Sequence, residues 1–132
     1  MRVQVQQGLS FGTLLSGVPQ IVASSDPLNA GIIDVRGQGR SDVLISFLLP
    51  MQLDGPAGAG VPVTFPPGSA GYSPTGDIGA QVAFDPYASE VLTLPRNGRG
   101  MVYLGGVAMP PAQLPSGAYA GTITVTLSYL GN

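Results

Sequence analysis

The sequence predicts an all-β fold, an antiparallel β-sandwich of about nine short strands. Apolar runs with strand-like alternation recur along the chain, whereas no segment makes a convincing helix. The 20 Gly and 13 Pro residues cluster between these runs, as expected for turns and loops. The chain has 132 residues, of which 44% are apolar and only 9% are charged, so we expect one domain with a hydrophobic core.

Each predicted strand is a short apolar or alternating segment bounded by Gly, Pro, Asn or Asp. In chain order, the strands are predicted at 3–11, 18–24, 30–36, 42–49, 61–65, 78–84, 90–94, 100–108 and 122–129. Pro62 cannot donate a ladder hydrogen bond, so the segment around it is predicted at a sheet edge. Segment 43–49 is apolar on both faces, and a buried helical turn is the alternative there. Its β-branched start and its end at Pro50 favour a central strand.

The last predicted strand has the strictest alternation in the chain. From residue 122 to residue 129, polar and apolar residues alternate without exception, as in a half-buried strand. Its apolar face consists of Ile123, Val125, Leu127 and Tyr129. A strand this regular must pair on both sides or leave a row of backbone groups open at a sheet edge. The main functional question is therefore what pairs with it.

Charge and composition exclude several classes of function. The formal net charge is −2 and all five basic residues are Arg, too few for the basic stripe that nucleic-acid binding requires. No run of about eighteen apolar residues is present, so we expect no membrane span. The absence of Cys excludes disulfides, and the absence of His removes the usual general base near neutral pH.

The acidic residues are separate from one another and favour turns over a catalytic or metal site. They are Asp26, Asp34, Asp42, Asp54, Asp77, Asp85 and Glu90. Asp26, Asp54 and Asp85 precede Pro or Gly, where a carboxylate commonly caps its own backbone. A calcium site or a paired-carboxylate hydrolase remains an alternative, although no loop of spaced oxygen ligands is present. We predict no catalytic residue, no metal and no cofactor, and therefore no enzyme.

Two glycine-containing segments are predicted to be turns. Segment 36–40 (Arg-Gly-Gln-Gly-Arg) superficially resembles a phosphate loop, but it lacks a following helix and a Lys, so we interpret it as a flexible hairpin loop. Segment 96–99 contains Asn-Gly between apolar runs, which predicts a tight turn.

Three stretches of the chain resemble a family of secreted bacterial β-sandwich proteins of unknown function, similar to spore coat protein U and archaic chaperone–usher pilins. Residues 8–17 are similar to the family's opening pattern L-x-F-G-x-x-x-x-G. Residues 30–37 and 43–50 are similar to its β-hairpin ending in Leu-Pro. Residues 102–107 and 115–129 are similar to its C-terminal part. Together the stretches span nearly the whole chain.

The resemblance implies an immunoglobulin-like, pilin-like sandwich and a structural role in a filament or coat at the cell surface. In chaperone–usher pilins the last strand carries a Gly and, twelve residues later, a Tyr, the separation of Gly117 and Tyr129 here. Such pilins lack the strand that closes the sandwich, and a neighbour's N-terminal extension fills the groove. The resemblance also implies secretion and a periplasmic chaperone. Since no signal peptide is recognisable at the start, we expect a mature secreted form.

The N-terminal segment is the candidate donor strand. We expect residues 1–8 to form an extension and residues 9–132 to form the sandwich. The predicted subunit interface joins the apolar side of the extension to the last strand of another copy, through Val3, Val5, Leu9, Ile123, Val125, Leu127 and Tyr129. The alternative is that residues 3–11 fold back on their own sandwich as an ordinary first strand.

The predicted function is a non-enzymatic structural subunit that polymerises with other copies of itself by β-strand addition. A monomeric secreted adhesion or ligand-binding module is the alternative. Such a module would use the Gly/Pro-rich loops, particularly those within residues 54–77.

Overall fold

The computed structural model describes residues 2–11, 14–115 and 119–131, and nearly all of its regular structure is β-strand. The strands are β1 (Arg2–Gln7), β2 (Gln20–Val22), β3 (Gly31–Arg36), β4 (Asp42–Leu48), β5 (Gln52–Asp54), β6 (Gly60–Thr64), β7 (Ala70–Ser73), β8 (Val82–Phe84), β9 (Glu90–Thr93), β10 (Arg99–Leu104), β11 (Gly106–Ala108) and β12 (Thr124–Gly131). Two single-turn 3₁₀ helices, Pro56–Gly58 and Ile78–Ala80, are the only helices in these ranges.

The strands form three antiparallel sheets. A five-stranded sheet has the order β1-β3-β10-β7-β8, a three-stranded sheet has the order β12-β4-β9, and a four-stranded sheet has the order β2-β11-β6-β5. One hydrophobic core joins all three, with fully buried side chains such as Val35, Ile45 and Val61 from the respective sheets. The predicted all-β antiparallel sandwich is confirmed.

The five-stranded and three-stranded sheets pack on each other through the core. The rings of Phe47 in β4 and Phe84 in β8 stack with centroids 6.3 Å apart. The hydroxyl of Tyr72 in β7 donates a hydrogen bond to the carbonyl oxygen of Thr93 in β9, at 2.9 Å. These contacts place β9 over the β7–β8 end of the larger sheet. The other end of the larger sheet, at β1, therefore meets the end of the smaller sheet that β12 forms.

Gly105 divides the strand predicted at 100–108 into β10 and β11, which belong to different sheets. A Cβ atom at this position would overlap the carbonyl oxygen of Val22 and crowd the amide nitrogen of Ser24. The Gly105 amide donates instead to the carbonyl oxygen of Ser69, at 2.7 Å. The chain therefore changes sheet where only glycine allows the backbones to approach so closely.

The tight turn predicted at 96–99 is confirmed, but the flexible hairpin loop predicted at 36–40 is not a hairpin. The Gly98 amide donates to the carbonyl oxygen of Pro95, at 2.8 Å, and Gly98 has a positive φ of 71°. Both turns cross between sheets, because β3 and β10 lie in the larger sheet while β4 and β9 lie in the smaller one. They also pack on each other, since the Gly37 amide donates to the carbonyl oxygen of Gly98, at 2.8 Å.

Segment 61–65 was predicted at an edge, and this prediction is wrong because β6 lies between β11 and β5. The carbonyl oxygen of Pro62 accepts a hydrogen bond from the Met109 amide, at 2.8 Å. In an antiparallel ladder the carbonyl and amide of one residue point to the same neighbour. The missing N–H of Pro62 therefore falls beyond the last residue of β11, Ala108, where the ladder has ended.

Candidate functional site

The last strand, β12, lies at one end of the three-stranded sheet and pairs only with β4 within the described residues. Its apolar face points into the sandwich as predicted: Val125 and Leu127, with Ile123 just before the strand, pack against the core. Thr124, Thr126 and Ser128 are exposed on the other face. Since β4 occupies one side of β12, the backbone groups on its other side form an open edge.

The N-terminal strand, β1, lies at the corresponding end of the five-stranded sheet. It pairs antiparallel with β3 of the same chain, with Val3 opposite Val35 and Val5 opposite Ile33. Of the two arrangements that the sequence left open for this segment, the described chain has the internal one. Pairing with another copy requires β1 to leave β3 and stays a prediction.

The exposure of the β1 valines shows that the sandwich is open between these two strands. Residues directly opposite each other in a ladder share one face of the sheet, so Val3 and Val5 face inward with Val35 and Ile33. Val35 and Ile33 are 0% and 4% exposed, whereas Val3 and Val5 are 37% and 61% exposed. Among the described residues the smaller sheet ends at β12, and the two inward-facing valines of β1 stay partly exposed.

An apolar groove, which we call the seam, runs between residues 5–14 and residues 119–125, excluding residues 12 and 13, which the structure does not describe. One cavity of about 230 Å³ has Val5 and Leu9 on one wall, Ile123 and Val125 on the other, and Leu104 beneath them. A second cavity of about 220 Å³ shares Leu9 and Ile123 with the first. It extends the seam along Phe11, Leu14 and Tyr119.

Four of the seven predicted interface residues line the seam, namely Val5, Leu9, Ile123 and Val125. Val3 lies on the same face of β1 as Val5 and is also partly uncovered. Leu127 packs against the core instead. Tyr129 is held by its hydroxyl, which accepts a hydrogen bond from the Gln38 amide at 3.0 Å. Gly117 lies outside the described residues.

The seam also includes residues that the sequence did not point to, notably Leu14 in the second cavity and Gly121 in both cavities. Neither residue belongs to a predicted strand with a clear face, so alternation could not assign it to one wall. Tyr119 is partly buried and packs against the core. Its hydroxyl donates to the carbonyl oxygen of Pro115.

Few side-chain contacts hold β1 in place. Every residue from Arg2 to Gln6 is exposed, and the ladder to β3 is irregular between Val5 and Gln7. The Gln7 side chain makes the firmest attachment, because its Nε2 donates to the carbonyl oxygens of Ala30 and Pro27, at 2.8 and 3.2 Å. Gly8 follows, with no atom within 4 Å of where a Cβ would lie. The strand therefore ends at a residue with free space around it.

Asp26 and Asp85 act in turns, as predicted, whereas Asp34, Asp42, Asp54 and Glu90 lie in strands. The Asp26 carboxylate accepts from the backbone amides of Leu28 and Asn29 and from the Asn29 side chain, and these hydrogen bonds, that from Leu28 foremost, hold its pKa below the usual value. Asp85 accepts from the Tyr87 amide. The prediction is wrong for Asp54, which lies in β5 and accepts from the Gln52 side chain.

Within the described ranges, no group of three or more acidic residues could hold a metal ion, and no helix is long and apolar enough to cross a membrane. Comparison of the chain with models of known protein families and with curated proteins finds no match. The site therefore has to be interpreted from its own geometry. That geometry is an apolar groove beside an open strand edge, which is suited to receiving another extended segment.

Proposed function

We propose that this protein is a structural subunit of an extracellular filament or surface coat, built by β-strand addition between copies. In each contact, the N-terminal segment of one copy pairs with the open edge of β12 in the next. The observation that carries the proposal is the 61% exposure of Val5, an inward-facing residue beside fully buried ones. In a strand added to β12 of the next copy, the same Val5 would face that copy's core across the seam instead of standing exposed.

Release of β1 from its own chain is the first step of this assembly, and its cost is low. Backbone hydrogen bonds make up most of the attachment, and each contributes only about 0.5–1.5 kcal/mol net because water replaces the partner. Little apolar surface is lost, since Val3 and Val5 are already partly exposed. The open space around Gly8 gives the segment a place to turn away from the sandwich.

Insertion into the seam supplies the driving force. In its own chain, each donor pairs Val3 and Val5 with Val35 and Ile33 of β3. After insertion, these valines would lie on β12 of the acceptor and face the acceptor's Ile33 and Val35 across the seam. Full burial of a large apolar side chain contributes about 1.5–3 kcal/mol, and Val3 and Val5 of the donor would gain burial in the acceptor's seam, which the acceptor's own Leu9 lines. The new ladder to β12 also satisfies backbone groups that the isolated chain leaves open.

The contact is head-to-tail, because the donor uses its N-terminal segment and the acceptor uses its seam. Each copy carries one of each, so addition can continue at both ends. A heterologous contact of this kind forms an open fibre unless its rotation happens to close a ring. The proposed partners are thus other copies of the same chain, with a periplasmic chaperone covering the seam before assembly.

A redox-controlled staple tests the proposal. The chain has no Cys, so Arg2→Cys together with Arg36→Cys, at directly opposed positions, places a single disulfide between β1 and β3. Concentrated protein would be incubated with and without reductant and examined by electron microscopy. We expect monomers when the staple is oxidised and filaments when it is reduced.

The same protein serves as its own control, since both states carry the same substitutions. Filaments that form equally well in the oxidised state would contradict the exchange of β1. Removal of residues 1–7 provides a second test, because a chain without the donor should remain monomeric in size-exclusion chromatography. Fibres that survive this truncation would rule out the N-terminal segment as donor.

A further inference from the structure

Another cavity, separate from the two that form the seam, lies on the outer face of the five-stranded sheet. Asp34 stands between Ile33 and Val35 in β3, so its side chain points away from the core. Together with Met101 of β10 it contributes to a cavity of about 200 Å³. The cavity is also lined by Pro74, Thr75, Gly76, Asn97, Arg99 and Gly100.

The segment that covers the cavity is held in a fixed position. The Tyr103 hydroxyl donates to the carbonyl oxygen of Gly76, at 3.0 Å, and burial foremost, with a contribution from the Asp77 charge, raises the pKa of Tyr103 above 10.0. The hydroxyls of Ser73 and Thr75 lie 3.3 Å apart. Gly76 itself has a positive φ of 79°, which favours glycine. The cavity is therefore part of the folded structure.

Asp34 is the unusual group in this cavity, since the residue is only 2% exposed. Its Oδ2 accepts a hydrogen bond from Nε of Arg36, at 2.9 Å. Its Oδ1 is buried and has no hydrogen-bond partner among the described residues. A buried carboxylate oxygen without a donor costs free energy, so this atom favours any ligand that brings a donor to it.

Arg99 provides the complementary chemistry. The ladder between β3 and β10 sets Arg99 directly opposite Arg36, on the same outer face as Asp34. Arg36 is engaged by Asp34, whereas Arg99 is exposed and lines the cavity. A guanidinium carries five N–H donors and no acceptor. The groups that line the cavity thus include an unsatisfied acceptor, Oδ1 of Asp34, and the donors of Arg99, beside the polar side chains of Thr75 and Asn97 and the apolar side chains of Pro74 and Met101.

We infer that this cavity binds a single sugar unit of a glycan, with one hydroxyl donating to Oδ1 of Asp34 and an oxygen of the same ring accepting from Arg99. A hydroxyl can donate and accept at once, which matches the pair of groups. A cationic ligand would face Arg99 and an anionic one would face Asp34, so the chemistry favours a neutral polyhydroxyl ligand. Drug-sized ligands occupy about 300 Å³ or more, so this smaller cavity fits one ring.

The inference does not rest on the proposed filament, because the cavity is present in the isolated chain, where Gln4 of β1 lies opposite Asp34. The cavity opens on the face of the sheet opposite to the core, and the seam opens on the core side, so a bound sugar leaves the seam free. Moreover, Pro74, Thr75 and Gly76 belong to the Gly/Pro-rich loops of residues 54–77, for which the sequence suggested a ligand-binding role.

Titration of the ¹⁵N-labelled protein with glucose, N-acetylglucosamine and glucuronic acid, followed by NMR, tests the inference. We expect saturable shifts of the backbone amides of Thr75, Gly76 and Arg99 with at least one neutral sugar, and weaker effects with the acid. A glycan array then extends the search to linked sugars. The inference is overturned if no sugar shifts these amides saturably and no glycan on the array binds.

A matched pair of substitutions locates the binding. Arg99→Gln removes donors from the cavity, whereas Arg96→Gln makes the same change at an exposed residue of the preceding turn. We expect about tenfold weaker binding for Arg99→Gln, the loss of one charge-assisted hydrogen bond. Binding by Arg96→Gln should equal that of the original chain. Equal effects of the two substitutions would overturn the assignment.

Discussion

Gly105 is the residue between β10 and β11, where the chain passes from the five-stranded sheet into the four-stranded sheet. Its backbone lies against the chain at Val22 and Ser24, so that no side chain fits. The change of sheet allows β10 to fill the middle of the larger sheet while β11 pairs with β2 and β6. One residue without a side chain therefore connects two layers of the core.

Substitution of Gly105 by Ala should lower the free energy of unfolding by about 1–3 kcal/mol, because the added methyl group forces the two backbones apart. Gly8→Ala is the control, since the space around a Cβ at that position is empty. The control should change stability by less than about 0.5 kcal/mol. Urea denaturation of both variants checks this, and equal midpoints would contradict it.

Tyr72 is a residue through which the two facing sheets are linked, by the hydrogen bond to Thr93. Burial raises the pKa of Tyr72 above its ordinary value of 10.0. The folded chain therefore holds this proton more tightly than the unfolded chain does. The resulting stabilisation is complete below the unfolded pKa and is lost as the pH rises through the folded pKa.

The free energy of unfolding should consequently fall as the pH rises above about 10. In Tyr72→Phe this alkaline decrease should be smaller, because residue 72 has no proton to lose. The variant should also lose about 0.5–1.5 kcal/mol at neutral pH, the contribution of one hydrogen bond. Urea midpoints measured from pH 8 to pH 11 check both effects. Identical alkaline slopes for the two proteins would refute the role of Tyr72.

Among the elements, β1 and β7 both differ from what the sequence predicts, β1 in its burial and β7 in being a strand at all. The alternation of β1 predicts a half-buried strand, yet the strand is almost entirely exposed, because nothing in the described chain covers its apolar face. Residues 70–73 belong to a stretch that the sequence assigned to a Gly/Pro loop, yet they form β7 between β10 and β8. Partners supplied by distant parts of the chain decide both outcomes.

Val5→Thr should separate the assembly role of β1 from its structural role. Val5 is largely exposed in the isolated chain, so this replacement of similar shape should change monomer stability by less than about 0.5 kcal/mol. If Val5 is buried on assembly, the buried hydroxyl should reduce filament formation strongly. Light scattering of concentrated protein measures this. Normal assembly by Val5→Thr would argue against insertion of this face.

Ile33→Thr is the matched comparison, because Ile33 lies opposite Val5 on the same face but is buried in the isolated chain. It should lower the stability of the monomer itself by at least about 1 kcal/mol. Thermal unfolding distinguishes the two variants before any assembly occurs.

For the whole molecule, the important feature is the inequality of the facing sheets, five strands against three. This inequality leaves the seam and an open edge on β12. An open edge is a hazard for uncontrolled pairing, and a dedicated donor strand is one way in which it can be controlled.

Hydrogen exchange should report the state of this edge. In the monomer, alternate amides of β12 should exchange slowly where they bond β4 and fast where they face the open side. In filaments both sets should be protected, if the donor pairs with β12. If the β12 amides exchange in filaments as they do in the monomer, then copies join elsewhere, for example by pairing β1 with the β3 of a neighbour.

The all-β class, most of the strands and the inward face of β12 follow from the amino-acid order alone, because they depend on local alternation and on turn residues such as Asn97 and Gly98. That order alone could not determine which strands are neighbours. Pairing joins residues far apart in the chain, as β1 with β3 and β12 with β4, and local patterns carry no information about that choice. Pairing between distant segments makes β7 a strand and carries the 36–40 turn from one sheet to the other. The same long-range packing sets Asp34, a single charge within an apolar run, beside a cavity.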